Sequence, residues 1–185
     1  MARDCIRGCR SLDFALQLST RDALAETRRR CPQSKNEGGI LMAASDFDQV
    51  IEDSHEALAE FVKGHPEPLK DMYSHRDDVS LANPFGPAVR GWKQAAETME
   101  RAASNYRDGE ATGFESVAKY VTAELAYIVE VERYKARVGG SAEIVAIALR
   151  VTSIFRPEDG VWKIVHRHAD PIASSRPAES VVQGT

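Results

Sequence analysis

The sequence predicts an α+β domain, N-terminal helices with a curved antiparallel sheet wrapped around them. Between residues 45 and 106, apolar side chains recur at helical spacing in two long runs broken by Gly/Pro punctuation. From Phe114 onward the period becomes that of strands, in four runs separated by turn residues. The last two runs are joined by Pro157-Glu158-Asp159-Gly160, a tight-turn sequence between β-rich segments. Helices first and a long meander afterwards is the α+β order. Strands of this length can curl around the helices and leave a pocket between the layers.

Taken along the chain, Ser45 is positioned to cap a first helix carrying Phe47, Val50, Ile51, Leu58, Phe61 and Val62 on its apolar face. Asp46 and Asp48 suit the positive end of its dipole. Gly64, followed by Pro66 and Pro68, ends it. A helical turn follows over 69–73, then a short strand over 79–82 closed by Asn83-Pro84. The second long helix, 92–106, buries a stripe of Trp92, Ala95, Ala96, Met99, Ala102, Ala103 and Tyr106, and Asp108-Gly109 stops it. The strands are expected over 114–121, 125–138, 144–156 and 161–169, with Gly139-Gly140 in one turn. Residues 43–171 therefore form the domain, and 172–185 a loose C-terminal tail.

At 185 residues, 43% hydrophobic and 28% charged, the chain suits one globular domain with a real core. No apolar run approaches the roughly 20 residues of a membrane helix, so a soluble, cytoplasmic protein is expected. The net charge is −4 overall and −7 for residues 43–185, without a basic stripe. That balance argues against nucleic acid or a membrane surface as partner.

Residues 1–42 differ from the rest. They hold all three cysteines, Cys5, Cys9 and Cys31, and the run Arg28-Arg29-Arg30. A zinc site would need a second ligand pair. A secretory signal would need an apolar core, and Asp4, Asp13, Asp22 and Glu26 do not suit a transit peptide. A non-domain leader is expected, translated from a start codon placed too early. Met42-Ala43-Ala44-Ser45 makes a natural beginning, and the codons of Glu37-Gly38-Gly39 can spell a ribosome-binding sequence.

The chemistry concentrates at the end of the last strand. Alternation sends His166, His168 and Asp170 to one face of an extended backbone.

The order of motifs resembles the nuclear transport factor 2-like superfamily, in its SnoaL-like/DUF4440, ketosteroid isomerase-like branch. The carriers are Asn83-Pro84-Phe85-Gly86 leading to Gly91-Trp92, then Leu125-Ala126-Tyr127-Ile128-Val129. Next come Leu149-Arg150-Val151-Thr152 and the run from Asp159-Gly160-Val161-Trp162 to His166-Arg167-His168. The likeness spans 47–171 and implies a cone-shaped curved sheet. The association domain of the calcium/calmodulin-dependent kinase is similar over the same strands. Its pocket positions correspond to Val129, Ser153 and Ala169, where this chain carries small or apolar residues and no arginine.

By alternation Glu130 shares a face with Glu132, and Arg150 with Thr152. If neighbouring strands bring these faces together, the sheet carries a carboxylate–guanidinium–imidazole cluster. In the catalytic reading His166 or His168 is general acid or base, Glu130 or Asp170 positions it, and Arg150 stabilises an enolate or binds a carboxylate. In the other reading this face pairs its charges against a second subunit. Substrate-binding candidates are Asn83, Trp92, Tyr106, Tyr127, Val129 and Ser153, with Tyr73 as a further pocket tyrosine; Asn83 equally suits initiation of the turn at Pro84. Asp77-Asp78 reads as a solvated loop. His55 reads as the polar side of the first helix, and His65 and His75 as loop residues. His166-x-His168 is a possible chelating pair only with a third ligand, so no metal and no cofactor are expected.

The expected function is a cofactor-free isomerase, cyclase or dehydratase acting on a small hydrophobic molecule in an apolar pocket. The alternative is a non-catalytic small-molecule-binding or dimerisation module. A homodimer is expected in either case.

Overall fold

The computed structural model describes residues 37–182. The expectation for residues 1–36, with the three cysteines, lies outside the described residues. Ten elements follow in chain order. They are α1 (Glu37–Phe61), α2 (Glu67–Met72), β1 (Ser80–Ala82), β2 (Val89–Arg90), α3 (Trp92–Ala103), β3 (Tyr106–Val121), β4 (Ala126–Val138), β5 (Val145–Glu158), β6 (Val161–Asp170) and a 3-10 helix (Ala178–Val181). The six strands form one curved, unclosed sheet in the order β2-β1-β6-β5-β4-β3. All neighbours are antiparallel except β1, which runs parallel to β6.

α1 begins at Glu37, so Ser45 lies within the helix rather than at its cap. Its C-terminus closes with Gly64 at φ 99°, where the His65 N–H bonds the Glu60 carbonyl at 3.1 Å and the Gly64 N–H bonds that of Phe61 at 3.0 Å. These are the paired bonds of a Schellman motif, which a glycine in the left-handed region permits. α3 stops at Ala103, three residues before the expected end, and Tyr106 opens β3 instead. Tyr106 is still buried, as the stripe required, because the turn at Ser104-Asn105 delivers it to the same interior. At Gly109 a Cβ would overlap the Val62 carbonyl, so the backbone just past α1 meets that of β3 there without a side chain between them.

The sheet's concave face holds the core. Phe47 packs edge-on against Phe155 and Trp162, both at 5.1 Å between centroids. Leu58, Leu69, Tyr73, Met99, Ile128 and Ile164 belong to the same cluster. The β5–β6 hairpin turns at Asp159-Gly160 with φ of 52° and 82°, the two left-handed residues of a type I′ turn. Register shifts interrupt β3 at several points, and one more lies between Ile154 and Phe155 of β5. Bulges of this kind bend a strand and increase its twist, which suits a sheet that curls around helices. No helix among the described residues is long and apolar enough to cross a membrane.

Candidate functional site

The register shift opposite β5 decides which side chains of β6 face inward. Ile154 pairs with His166 and Phe155 with Ile164, leaving Val165 unpaired. One extra residue inverts the alternation beyond it. Trp162 and Ile164 face the core before the bulge, and Arg167 and Ala169 after it. His166, His168 and Asp170 share a face as alternation requires, but it is the outer one. There Arg150 donates to Asp170 Oδ2 at 2.8 Å, and His168 Nε2 lies 3.7 Å from the same oxygen. His166 Nδ1 meets Ser80 Oγ at 2.8 Å. Glu130 lies on the inner face, 3% exposed. The five residues expected as one catalytic cluster are therefore divided between the two faces of the sheet.

What the inner face gathers is a different polar group. Glu132 is fully buried, and Arg167 reaches it with two hydrogen bonds, Nη1 to Oε1 and Nη2 to Oε2, both 2.7 Å. The Tyr134 hydroxyl donates to Glu132 Oε2 at 2.7 Å, and Arg167 Nη1 also reaches Ser153 Oγ at 3.4 Å. This planar pairing of guanidinium and carboxylate is geometrically specific. Burial alone would lower the Arg167 pKa, but the charge and hydrogen bonds of Glu132 outweigh it and hold the guanidinium above its usual range.

Above this pair lies a cavity of about 50 Å³ between the sheet, the helices and the loop after β1. Its walls are mostly apolar, with Leu58, Phe61, Leu69, Leu81, Met99 and Leu149, and Asn83, Pro84 and Phe85 also line it. Arg167, Glu132 and the tyrosines Tyr73, Tyr106 and Tyr134 supply the polar atoms. Burial pushes all three phenols up, Tyr106 to about 12, so they are neutral hydrogen-bond donors at ordinary pH. Tyr134 spends its proton on Glu132. The Tyr73 hydroxyl is buried and has no hydrogen-bond partner among the described residues.

Of the substrate-binding candidates, Asn83 and Tyr106 line this cavity, and Ser153 supports Arg167 from below. Asn83 also performs its turn role, its Oδ1 accepting from the Phe85 N–H at 2.9 Å. Tyr127 and Val129 alternate with the inward residues of β4 and face out, Tyr127 stacking on Tyr120. Trp92 packs against His75 at 4.0 Å, away from the cavity lining. Ala169 lines the cavity as a small residue, and Arg167 of the same strand brings an arginine into the lining. Asp78, read as a solvated loop residue, pairs with Arg156 at 2.6 Å. His55, read as the polar side of α1, lies against the sheet with its Nε2 3.0 Å from Glu130 Oε2. No group of three or more His, Cys, Asp or Glu side chains able to hold a metal ion occurs among the described residues.

The SnoaL-like domain family matches residues 48–174, more than half of the chain. No curated protein matches. Among solved structures, a nuclear transport factor 2-like superfamily protein from Salmonella enterica serovar Typhimurium aligns with a TM-score of 0.61 and 19% identity, over 74% of this chain and 99% of its own. A proposed scytalone dehydratase from Novosphingobium aromaticivorans aligns with a TM-score of 0.58 and 15% identity, over 74% and 97%. A ketosteroid isomerase-like protein from Erwinia carotovora atroseptica gives 0.53 and 17%, over 76% and 98%. At such identities these are likenesses of fold.

Proposed function

We propose that this chain, which belongs to the SnoaL-like domain family, binds a small, largely apolar molecule through one carbonyl or hydroxyl oxygen in the cone cavity. The observation that carries this reading is the buried Tyr73 hydroxyl, unpartnered among the described residues and lining an apolar cavity beside Arg167. A buried donor left without an acceptor costs about 1–3 kcal/mol, and a ligand oxygen recovers that loss. Leu58, Leu69, Leu81 and Met99 offer dispersion and water exclusion to the rest of the molecule.

A cofactor-free isomerase, cyclase or dehydratase is the second reading. It is favoured by a neutral phenol and a fixed guanidinium in one mostly apolar cavity, donors of the kind that stabilise an enolate oxygen. The names of two similar structures, a proposed dehydratase and a ketosteroid isomerase-like protein, point the same way. Against it stands the acid-base inventory. Glu132 is the one carboxylate among the described residues that line the cavity, and both of its oxygens already accept hydrogen bonds.

One experiment tests both readings. Cyclopentenone, a small conjugated ketone, is titrated in deuterated water while ligand NMR follows binding and loss of its exchangeable protons. Saturable binding that weakens about ten-fold in Tyr73→Phe, the equivalent of about 1.4 kcal/mol, supports the binding reading. Protein-accelerated proton exchange in addition supports catalysis. Absence of saturable binding, or equal binding by Tyr73→Phe, overturns the proposal.

A further inference from the structure

The concave face carries a second polar centre that the cone cavity does not use. Between α1 and strands β3 and β4 lies a cleft of about 260 Å³, lined among others by Ile51, Glu52, His55, Phe114, Lys119 and Glu130. At its base the Glu130 side chain is 4% exposed. Its Oε2 is held by His55 Nε2 at 3.0 Å, whereas its buried Oε1 has no hydrogen-bond partner among the described residues. The imidazole is fixed in turn, stacked on Phe114 at 3.7 Å and 7° between planes. This is a rigid acceptor aimed into a cleft, with one oxygen still to satisfy.

The charges around it choose the ligand. α1 contributes Asp48, Glu52 and His55, β3 contributes Lys119, and β4 contributes Glu130. Lys119, at the exposed side, is engaged with Asp48 at 2.5 Å. Glu52 stands one helical turn before His55, on the same cleft. With that cation neutralised, the cleft presents two carboxylates against one imidazole. A neutral donor would fill the hydrogen bond of Oε1 but bring no positive charge to a cleft in which carboxylates outnumber the imidazole. A protonated amine does both, since charge-assisted hydrogen bonds to carboxylate are the stronger kind. Ile51, Ile128 and Phe114 give such a ligand an apolar wall.

We propose that the α1–β3–β4 cleft is a second ligand site, in which Glu130, held by His55, receives the protonated nitrogen of a small amine with an apolar body. The site is separate from the cone cavity and shares no lining residue with it: Leu58 and Phe61 of α1 face the cone while Ile51 and His55 face the cleft.

The test uses the full chain and three phenyl probes of similar size: benzylamine, protonated at neutral pH, neutral benzyl alcohol and anionic benzoate. Histidine side-chain NMR signals report His55 directly. Benzylammonium is expected to shift them saturably, with benzyl alcohol and benzoate at least ten-fold weaker. Glu130→Gln should weaken benzylammonium at least ten-fold. Glu52→Gln, at an exposed position where folding is not at risk, should weaken it about three-fold by Coulomb attraction alone. Tyr73→Phe should leave it unchanged. The proposal is overturned by the absence of a saturable shift, by equal binding of benzoate or benzyl alcohol, or by a folded Glu52→Gln that binds as the parent does.

Discussion

Glu130 and Glu132 lie two residues apart on β4 and project to the same concave face, yet their carboxylates belong to different centres. Glu130 is held by His55 of α1 at 3.0 Å, and Glu132 by Arg167 of β6 at 2.7 Å. The residues of α1 divide between them, Ile51 and His55 beside Glu130, Leu58 and Phe61 over the cavity above Glu132. A single strand therefore supplies the acidic group of both, and only one of the two is fully satisfied. Both oxygens of Glu132 have donors, whereas one oxygen of Glu130 has none among the described residues.

The Arg167–Glu132 pair should be costly to break and much cheaper to replace. Arg167→Met leaves a buried carboxylate with only Tyr134, and loss of about 3–5 kcal/mol is expected, as for other buried pairs deprived of one partner. Arg167→Met combined with Glu132→Leu removes both charges and should recover most of that loss. Urea unfolding of the parent, the single variant and the double variant measures the difference. A double variant as unstable as the single one would contradict this account.

Much of this architecture is legible in the sequence because it follows from local rules. The hairpin at Asp159-Gly160 forms where two residues tolerate positive φ, and Gly64 ends α1 through a motif that requires glycine. The candidate site is less legible because it depends on one residue. Strict alternation carried from Trp162 and Ile164 turns His166, His168 and Asp170 inward, and hides Arg167. The unpaired Val165 reverses this. A bulge leaves no composition signal in a run such as Ile164-Val165-His166. The inward turn of Arg167 has a tertiary reason instead, a buried carboxylate at Glu132 that demands a cation. His55 illustrates the same point on a helix. Its polar type suggests a solvated side, but it stands four residues after Ile51 and three before Leu58, on the apolar stripe, and Glu130, 75 residues away, holds it against the sheet. The two-residue β2 is too short to carry any period at all.

His166, on the outer face, should appear in the pH dependence of stability. Burial, then the neighbouring His168, lowers the His166 pKa below its ordinary 6.5. Above that value both folded and unfolded states hold the imidazole neutral, and it contributes nothing. As pH falls below 6.5 the unfolded state takes the proton first, so stability declines until the folded pKa is passed. The lowered carboxylates act in a separate, more acidic window, since Asp170 and Glu158 depart from ordinary values of 3.8 and 4.5. Urea midpoints measured between pH 7.5 and 5 should therefore fall in the parent and flatten in His166→Gln. An equal slope in both proteins would rule out His166 as the source.

The outer face also bears on assembly. Arg150 and His168 are each 52% exposed there, beside Thr152 and Ile154, which alternate with the buried residues of β5. A sheet face with half-exposed charges around branched side chains suits a self-complementary two-fold contact, in which the same patch serves both subunits. On this basis a homodimer through the outer face is expected, with light scattering giving twice the 20.4 kDa chain mass. Ile154→Glu introduces a charge into that contact without touching the inward core, and should reduce the mass to that of one chain. His168→Ala removes a polar partner and should weaken the dimer by about 1–3 kcal/mol while leaving ligand binding in the cone unaltered. A parent protein that is monomeric at high concentration overturns the dimer, and an Ile154→Glu variant that remains dimeric assigns the contact elsewhere. Loss of cone binding in a dimeric His168→Ala variant would instead couple this face to the cavity, through the same β6 backbone that carries Arg167.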